Sequence, residues 1–107
     1  FIASASQRAK GDGGLFNEIT HVDYDSGKVQ TWDAGVGNGV SEPVFVEKGP
    51  NSPEGDGWLL ATIYTAKTAI SSLVILDAQA VSDGPVATAR LDHRVPYGFH
   101  GSWRPNR

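Results

Sequence analysis

The chain has 107 residues, of which 39% are hydrophobic and 20% are charged, which suits one globular domain with a modest core. Nine basic residues against twelve acidic ones give a net charge of -3. This balance argues against a nucleic-acid partner, because such a partner requires a clustered basic surface. No run approaches the roughly 20 apolar residues of a membrane span. Because there is no Cys, disulfides and thiolate metal sites are excluded, and any metal would be held by His, carboxylate or water.

Taken in chain order, the sequence alternates short strand-like segments with turns, and no segment has the pattern of a helix of ordinary length. Strands are predicted at residues 1–6, 19–24, 29–32, 43–46, 58–64, 73–76 and 85–91. Polar or Gly-rich loops are predicted at residues 34–40 and 49–57, and residues 77–84 are predicted to form a connection with one helical turn. The sequence therefore predicts an all-β fold.

Two of these segments, residues 58–64 and 73–76, are continuous apolar runs rather than alternating ones. Such runs are typical of strands that are covered on both faces. A blade of a β-propeller, which is a four-stranded sheet packed between neighbouring blades, is one arrangement that covers both faces. A two-layer sandwich is the competing architecture, but its strands should alternate more cleanly.

Residues 23–27 read Asp-Tyr-Asp-Ser-Gly and form part of a calcium-loop pattern. The third acidic ligand and the distant Glu of such a loop are missing. The ordinary turn chemistry of Asp, Ser and Gly explains the segment better, because it joins two predicted strands as a hairpin.

One imidazole, His100, follows a strand-like run and has a Gly on its C-terminal side, within the segment Val95–Ser102. A neutral imidazole nitrogen placed in this way can bind a metal ion. A metal site requires several convergent ligands, however, and only one is visible here. The residues alone therefore leave both a metal ligand and an ordinary surface or core histidine open.

Four blocks of sequence occur in a characteristic order: residues 41–46 (SEPVFV), 56–60 (DGWLL), 73–78 (LVILDA) and 93–103 (HRVPYGFHGSW). In this order they resemble the C-terminal region of the carotenoid cleavage oxygenases. That family includes bacterial apocarotenoid and lignostilbene oxygenases and the isomerase of the retinal pigment epithelium. The resemblance extends from about residue 17 to residue 103.

The resemblance implies that residues 1–107 form about two C-terminal blades of a seven-bladed β-propeller, without an internal domain boundary. It implies Fe(II) on the propeller axis, held by four histidines, and cleavage of a conjugated carbon–carbon double bond by O₂ to give two carbonyl products. His100 matches an iron ligand, and Glu42 matches the carboxylate that accepts a hydrogen bond from a ligand histidine. The implied partners are an apolar polyene or stilbene-like molecule, O₂ and the N-terminal blades of a longer chain.

Phe99, Tyr97 and Trp103 stand beside His100 and are candidates for an apolar substrate tunnel, with ordinary core packing as an equally open alternative. The other histidines, His21 and His93, match no ligand position of the family. Three further ligands are therefore expected upstream of this chain. The chain has no Met and begins with Phe, so it is expected to be a piece of a longer protein. Because it has only one of the four ligands, the chain alone is expected to be inactive.

An autonomous all-β binding or structural module is the alternative to a piece of an oxygenase. A piece of a propeller should expose apolar faces and strand edges that neighbouring blades would cover, whereas an autonomous module should have them blunted. The two apolar runs favour the propeller. A cytoplasmic location is expected, with peripheral contact to a membrane left open.

Overall fold

Strands make up nearly all of the regular structure in the computed structural model, which describes residues 1–4, 16–35, 37–96, 98 and 100–106. The strands are β1 (Ile2–Ser4), β2 (Glu18–Val22), β3 (Val29–Asp33), β4 (Gly39–Val40), β5 (Val44–Glu47), β6 (Gly57–Thr65), β7 (Ile70–Asp77) and β8 (Pro85–Arg90). A 3₁₀ helix covers Val81–Asp83. The all-β prediction and the single helical turn within residues 77–84 are thus confirmed. Within the described ranges, no helix has the length and apolarity needed to cross a membrane.

The predicted strand at residues 19–24 ends at Val22, because the turn to β3 begins there. Two further differences concern where strands begin. The predicted loop at residues 34–40 ends in the two-residue strand β4, because Gly39 and Val40 pair with β6. Strand β7 begins at Ile70 rather than at residue 73, because its polar start continues the ladder with β6 down to the pair Thr65↔Ile70. In both places backbone pairing, and not side-chain polarity, decides where the strand begins.

The strands form two antiparallel sheets. The small sheet has the order β1-β2-β3, and the large sheet has the order β4-β6-β7-β8, with β5 also paired to β6. Because β7 occupies one edge of β6, β4 and β5 share the other edge. They therefore form one interrupted edge strand, and the large sheet has the four-stranded make-up of a propeller blade.

The core lies between the two sheets. Alternate residues of β6 face it, and Leu59 is fully buried there together with Leu76 of β7 and Ile19 of the small sheet. Val81 of the 3₁₀ helix closes the core and is also fully buried. These side chains belong to one core cluster that includes residues of both sheets. Burying one such side chain stabilises the fold by about 1.5–3 kcal/mol.

The opposite, outer face of the large sheet is also apolar along much of its length; its apolar residues include Val44, Val46, Trp58, Leu60, Leu73 and Ile75. It is only partly covered, and Leu73 remains 36% exposed. The covering comes from residues 91–106, here called the C-terminal segment, in which no helix or strand is described. Val95 and Pro96 of this segment border a cavity with the near end of the face, and Trp103 borders another at the far end. The continuous apolar runs thus correspond to one fully buried face and one half-exposed face.

Gly57 begins β6 at a point where the chain has no room for a side chain. A Cβ built there would lie 2.2 Å from the carbonyl oxygen of Val46 and 2.9 Å from the ring of Phe45. We expect Gly57→Ala to lower the free energy of unfolding by about 1–3 kcal/mol, as overpacking usually does, measured by urea or thermal unfolding.

Gly49→Ala is the matched control, because a Cβ at Gly49 would meet only the hydroxyl of Ser52, at an ordinary 3.8 Å. Its effect should stay within about 0.5 kcal/mol. Equal losses of stability in the two variants would contradict the proposed close contact at Gly57.

Candidate functional site

An extra residue in the edge strand places Glu42 outside the regular ladder. Val40 pairs with Ile63 and Val44 with Leu60, so four steps along the edge strand match three steps along β6. The intervening residues 41–43 form a β-bulge. Bulges bend a strand and re-aim its side chains, and they are frequent next to functional sites. Glu42 projects from this bulge with its side chain 45% exposed.

Ser41 and Pro43 explain why the chain leaves the ladder at this point. The backbone N–H of Ser41 donates to the carbonyl of Thr62 at 2.9 Å. In return, the N–H of Thr62 donates to the Ser41 hydroxyl at 2.8 Å, so the hydroxyl takes the place of a backbone carbonyl. Pro43 has no N–H to offer, and the ladder resumes only at Val44. The sequence Ser-Glu-Pro therefore builds the bulge that presents the Glu42 carboxylate.

His100 meets Glu42 from the C-terminal segment, which returns across the end of the large sheet after β8. The His100 Nδ1 lies 2.7 Å from the Glu42 Oε2, although the two residues are 58 positions apart in the sequence. An ionised carboxylate only accepts hydrogen bonds, so Nδ1–H is the donor, and in the neutral ring Nε2 keeps its lone pair. A carboxylate bound in this way fixes the tautomer and raises the basicity of the ring, which is the usual environment of a metal-binding imidazole.

The donor set of the site fits one part of a metal centre. Imidazole is a suitable ligand for iron, and the Glu42 contact orients it. The His100 side chain is 85% exposed, so its second nitrogen is accessible. Among the residues that the structure describes, no group of three or more His, Asp or Glu side chains converges to hold a metal ion. The described residues therefore supply one candidate ligand and its orienting carboxylate.

A cavity of about 540 Å³ opens beside this pair, between the small sheet and the large sheet. Its lining includes Phe16, Val40 and Tyr64 along with Pro96, and both Glu42 and His100 border it. Its volume lies within the usual range of ligand pockets, which are apolar with a few well-placed polar groups. The polar pair thus stands at the edge of a largely apolar space.

The residues that the sequence suggested for an apolar tunnel do not form this lining in the described part of the chain. Trp103 is 53% exposed and borders a separate cavity on the outer face, beside Trp58 and Ile75. Tyr97 and Phe99 lie outside the described residues. Phe16 and Tyr64 were missed by the sequence analysis, but pairing residues 39–40 with 63–64 in an antiparallel register would have brought Tyr64 close to Glu42.

The other two histidines make separate contacts and do not border this cavity. The ring of His21 stacks on Phe1 with centroids 4.6 Å apart. The Nδ1 of His93 lies 2.8 Å from a carboxylate oxygen of Asp92, and this hydrogen bond lowers the pKa of the Asp92 carboxyl. His21 is therefore a packed side chain and His93 an exposed hydrogen-bonding one.

Both the sequence and the fold match one group of known proteins. The family model for retinal pigment epithelial membrane protein matches residues 1–105. The chain is 38% identical over 96 residues to lignostilbene-alpha,beta-dioxygenase isozyme III of Sphingomonas paucimobilis, covering 90% of this chain and 20% of that protein. The crystal structure of Pseudomonas brassicacearum lignostilbene dioxygenase superposes with a TM-score of 0.83 at 29% identity, covering 88% of this chain and 20% of that one.

A cobalt-substituted apocarotenoid oxygenase from Synechocystis superposes with a TM-score of 0.79 at 40% identity, covering 84% of this chain and 19% of that one. The cobalt substitution indicates that this relative binds a metal ion. In each case the chain spans about a fifth of the length of the relative that it matches.

These matches define the class of the chain. Its two antiparallel sheets have the fold found in the seven-bladed β-propellers of the carotenoid oxygenases. The chain belongs to the retinal pigment epithelial membrane protein family, the family of the carotenoid cleavage oxygenases. The resemblance inferred from the four sequence blocks is thereby confirmed, and the relatives named above are oxygenases.

The segment that resembles a calcium loop is a hairpin turn between β2 and β3. One carboxylate oxygen of Asp23 accepts the backbone N–H groups of Asp25 at 2.9 Å and Ser26 at 3.3 Å. These donors, Ser26 foremost, hold the pKa of the Asp23 carboxyl below its ordinary value of 3.8. The carboxylate therefore serves the turn itself.

A carboxyl whose pKa is lowered on folding stabilises the folded state above its unfolded pKa, and this stabilisation is lost as the pH falls through the folded value. We expect the Asp23 contribution to be complete at neutral pH and to disappear below pH 3.8. An NMR titration of the side-chain carboxyl carbons should give Asp23 a midpoint below 3.8, unchanged by added Ca²⁺. A midpoint that falls further with Ca²⁺ would instead indicate a calcium site.

Proposed function

We propose that this chain is the C-terminal part, about two blades, of a longer non-haem Fe(II) oxygenase. The proposed reaction is the cleavage of a conjugated carbon–carbon double bond of an apocarotenoid or stilbene-like substrate by O₂. The two oxygen atoms end in two carbonyl products, so the equation balances without a further reductant. The observation that carries the proposal is the 2.7 Å contact between His100 and Glu42, within the two sequence blocks that match the family.

In this proposal His100 provides one imidazole ligand to the iron through Nε2. When bound, Fe(II) supplies a redox-active centre at which O₂ and the alkene react. The Glu42 carboxylate accepts the hydrogen bond from the His100 Nδ1–H, and this bond sets the tautomer and the orientation of the ring. The carboxylate also places a negative charge close to the dipositive ion. The lining of the neighbouring cavity, which includes Phe16 and Tyr64, excludes water and offers apolar surface to the substrate.

The apolar lining supports a conjugated hydrocarbon or aryl alkene as the substrate class. The relatives are named for lignostilbene and apocarotenoid substrates, both of which fit this description. A substrate of this kind partitions into lipid, which is the reason for proposing peripheral contact of the whole enzyme with a membrane. The remaining iron ligands are proposed to come from blades outside this chain, and the chain alone is proposed to be inactive.

The iron ligand is tested by substitution in the full-length oxygenase that contains this chain. We expect His100→Ala to abolish iron retention and alkene cleavage together, because the ligand nitrogen is lost. Glu42→Gln should lower metal affinity or activity about 10- to 100-fold, because the orienting charge is lost while the shape is kept. Iron is measured by elemental analysis of the purified protein, and cleavage by loss of the conjugated chromophore.

His93→Ala is the matched control, since His93 lies in the same segment and also bonds a carboxylate through Nδ1. It should keep both iron and activity. Full iron content in folded His100→Ala protein would refute the ligand assignment and favour the alternative of an autonomous β-module.

The half-exposed outer face provides a second test, which separates a piece of a propeller from an autonomous module. Leu73 is 36% exposed and Val86, which borders the same face, is 60% exposed. We expect the chain expressed alone to self-associate through this face, because a large exposed apolar patch favours association. Size-exclusion chromatography with light scattering measures the mass.

Substitution of Leu73 and Val86 by Thr should shift the mass towards the monomer. Tyr24→Thr should not, because Tyr24 is 94% exposed but lies in the β2–β3 turn. A monomeric chain with a sharp unfolding transition would contradict the propeller-piece proposal and support the autonomous module.

A further inference from the structure

Ser71 is a buried polar residue that makes three hydrogen bonds to the C-terminal segment, two through its backbone and one through its side chain. It is the second residue of β7 and only 1% exposed. Its backbone N–H donates to the carbonyl of His93 at 3.3 Å, and its carbonyl accepts the N–H of Leu91 at 3.0 Å. Its hydroxyl accepts the N–H of Val95 at 2.8 Å. A buried polar group almost always has partners, but here one residue gathers three from a single segment.

Ser71 is therefore the residue through which the C-terminal segment is hydrogen-bonded to the large sheet. Within the described ranges, these three hydrogen bonds are the ones that join residues 91–96 to the sheet. A further contact lies next to it, where the Arg94 guanidinium stands 5.3 Å from the ring centre of Tyr64, the residue paired with Ser71. The last fastened residue, Val95, is followed by Pro96, and His100 comes four residues later.

The segment that carries Glu42 is fastened in the same way and close by. The Ser41 hydroxyl accepts the backbone N–H of Thr62 at 2.8 Å, as the Ser71 hydroxyl accepts that of Val95 at 2.8 Å. Thr62 and Tyr64 lie on the same face of β6, and Tyr64 pairs with Ser71. The two halves of the Glu42–His100 pair are thus each held by one serine hydroxyl to the part of the β6–β7 ladder between Thr62↔Leu73 and Tyr64↔Ser71.

We propose that Ser71 is a positioning residue for His100, acting through the hydrogen bond from Val95 to its hydroxyl. This inference rests on the proposed function, in which His100 is an iron ligand. Ser71 borders the same cavity as Glu42 and His100, but its hydroxyl accepts the Val95 N–H and is not assigned as a ligand. It sets where the segment leaves the sheet and so where the imidazole lies relative to Glu42. A free segment would have to order itself at each binding event, which lowers metal affinity.

Ser71→Ala removes only part of this fastening, and that makes the test specific. The backbone bonds of Ser71 with Leu91 and His93 remain, and β7 stays in its ladder. The Val95 N–H alone loses its acceptor, at the last fixed position before His100. The expected defect is therefore local to the residues that carry the imidazole.

The experiment uses the full-length oxygenase that contains this chain, as wild type, Ser71→Ala and Ser52→Ala. The Ser52 hydroxyl accepts the N–H of Gly49 at 2.8 Å in a distant loop, so its loss is the matched chemical control. Four properties are measured: hydrogen exchange of peptides covering residues 91–96, Fe(II) affinity by chelator competition, the visible spectrum of the cobalt-substituted protein, and the thermal unfolding midpoint.

For Ser71→Ala we expect faster exchange in residues 91–96, a loss of about tenfold in Fe(II) affinity and an altered cobalt spectrum, with the unfolding midpoint nearly unchanged. Ser52→Ala should leave the exchange, affinity and spectrum as in the wild type. Ser71→Cys keeps the size but offers a weaker acceptor, and should fall between wild type and Ser71→Ala. It also replaces Ser71→Ala if that variant fails to fold.

Faster exchange with unchanged Fe(II) affinity and an unchanged cobalt spectrum would overturn the positioning role, and so would unchanged exchange. A failure of the proposed function looks different. In that case His100→Ala keeps its iron in the same assay, whereas Ser71→Ala still speeds the exchange of the segment.

Discussion

The mismatch of one residue between the edge strand and β6 is the constraint on which the site depends. Four residue steps along the edge strand lie opposite three steps along β6. Regular pairing is therefore interrupted at residues 41–43, and a side chain lies outside the ladder. Pairing resumes at Val44 with the register shifted by one residue, so backbone pairing holds the bulge on both sides. Glu42 is thereby carried on a rigid element although it lies outside the ladder. The core beneath it, with Leu59 and Leu76 fully buried, fixes β6 and so fixes the frame of the bulge.

The Glu42–His100 contact is too exposed to hold its own geometry. The two side chains are 45% and 85% exposed, and an ion pair or hydrogen bond in such surroundings is typically worth only about 0–1 kcal/mol. The pair is therefore a result of how the backbone is arranged and not its cause. Two serine hydroxyls bring the two segments together: that of Ser41 accepts the N–H of Thr62 in β6, and that of Ser71 in β7 accepts the N–H of Val95. Strand pairing beneath them supplies the order that the polar pair cannot supply for itself.

Sequence patterns predicted the elements better than the contacts between them. The strands β2, β3, β6 and β8 follow from alternation, apolar runs and turn residues, and the helical turn before β8 was also expected. The bulge was not predicted, because it is a property of the register between two strands and neither strand shows it alone. Ser71 gave no signal, since a serine at the start of a strand fits no pattern until its partners 20 or more residues away are known. The family resemblance implied that Glu42 accepts a hydrogen bond from a ligand histidine but did not say from which one. The contact with His100 was not predicted, because 58 residues separate the two and composition does not link them.

The outer face shows how the same sequence signal can have two structural outcomes. The apolar runs of β6 and β7 suggested burial on both sides, but side-chain period two places every second residue on a separate face. The apolar inner residues meet a second sheet and are buried, whereas the outer ones meet only an irregular segment that covers them in part. That segment must perform two tasks, because it shields apolar surface through Val95, Pro96 and Trp103 and also carries His100 to the bulge. Packing on the outer face and placement of the imidazole are consequently coupled. A change that loosens the C-terminal segment from the sheet should displace His100 while leaving the packing of the core unchanged.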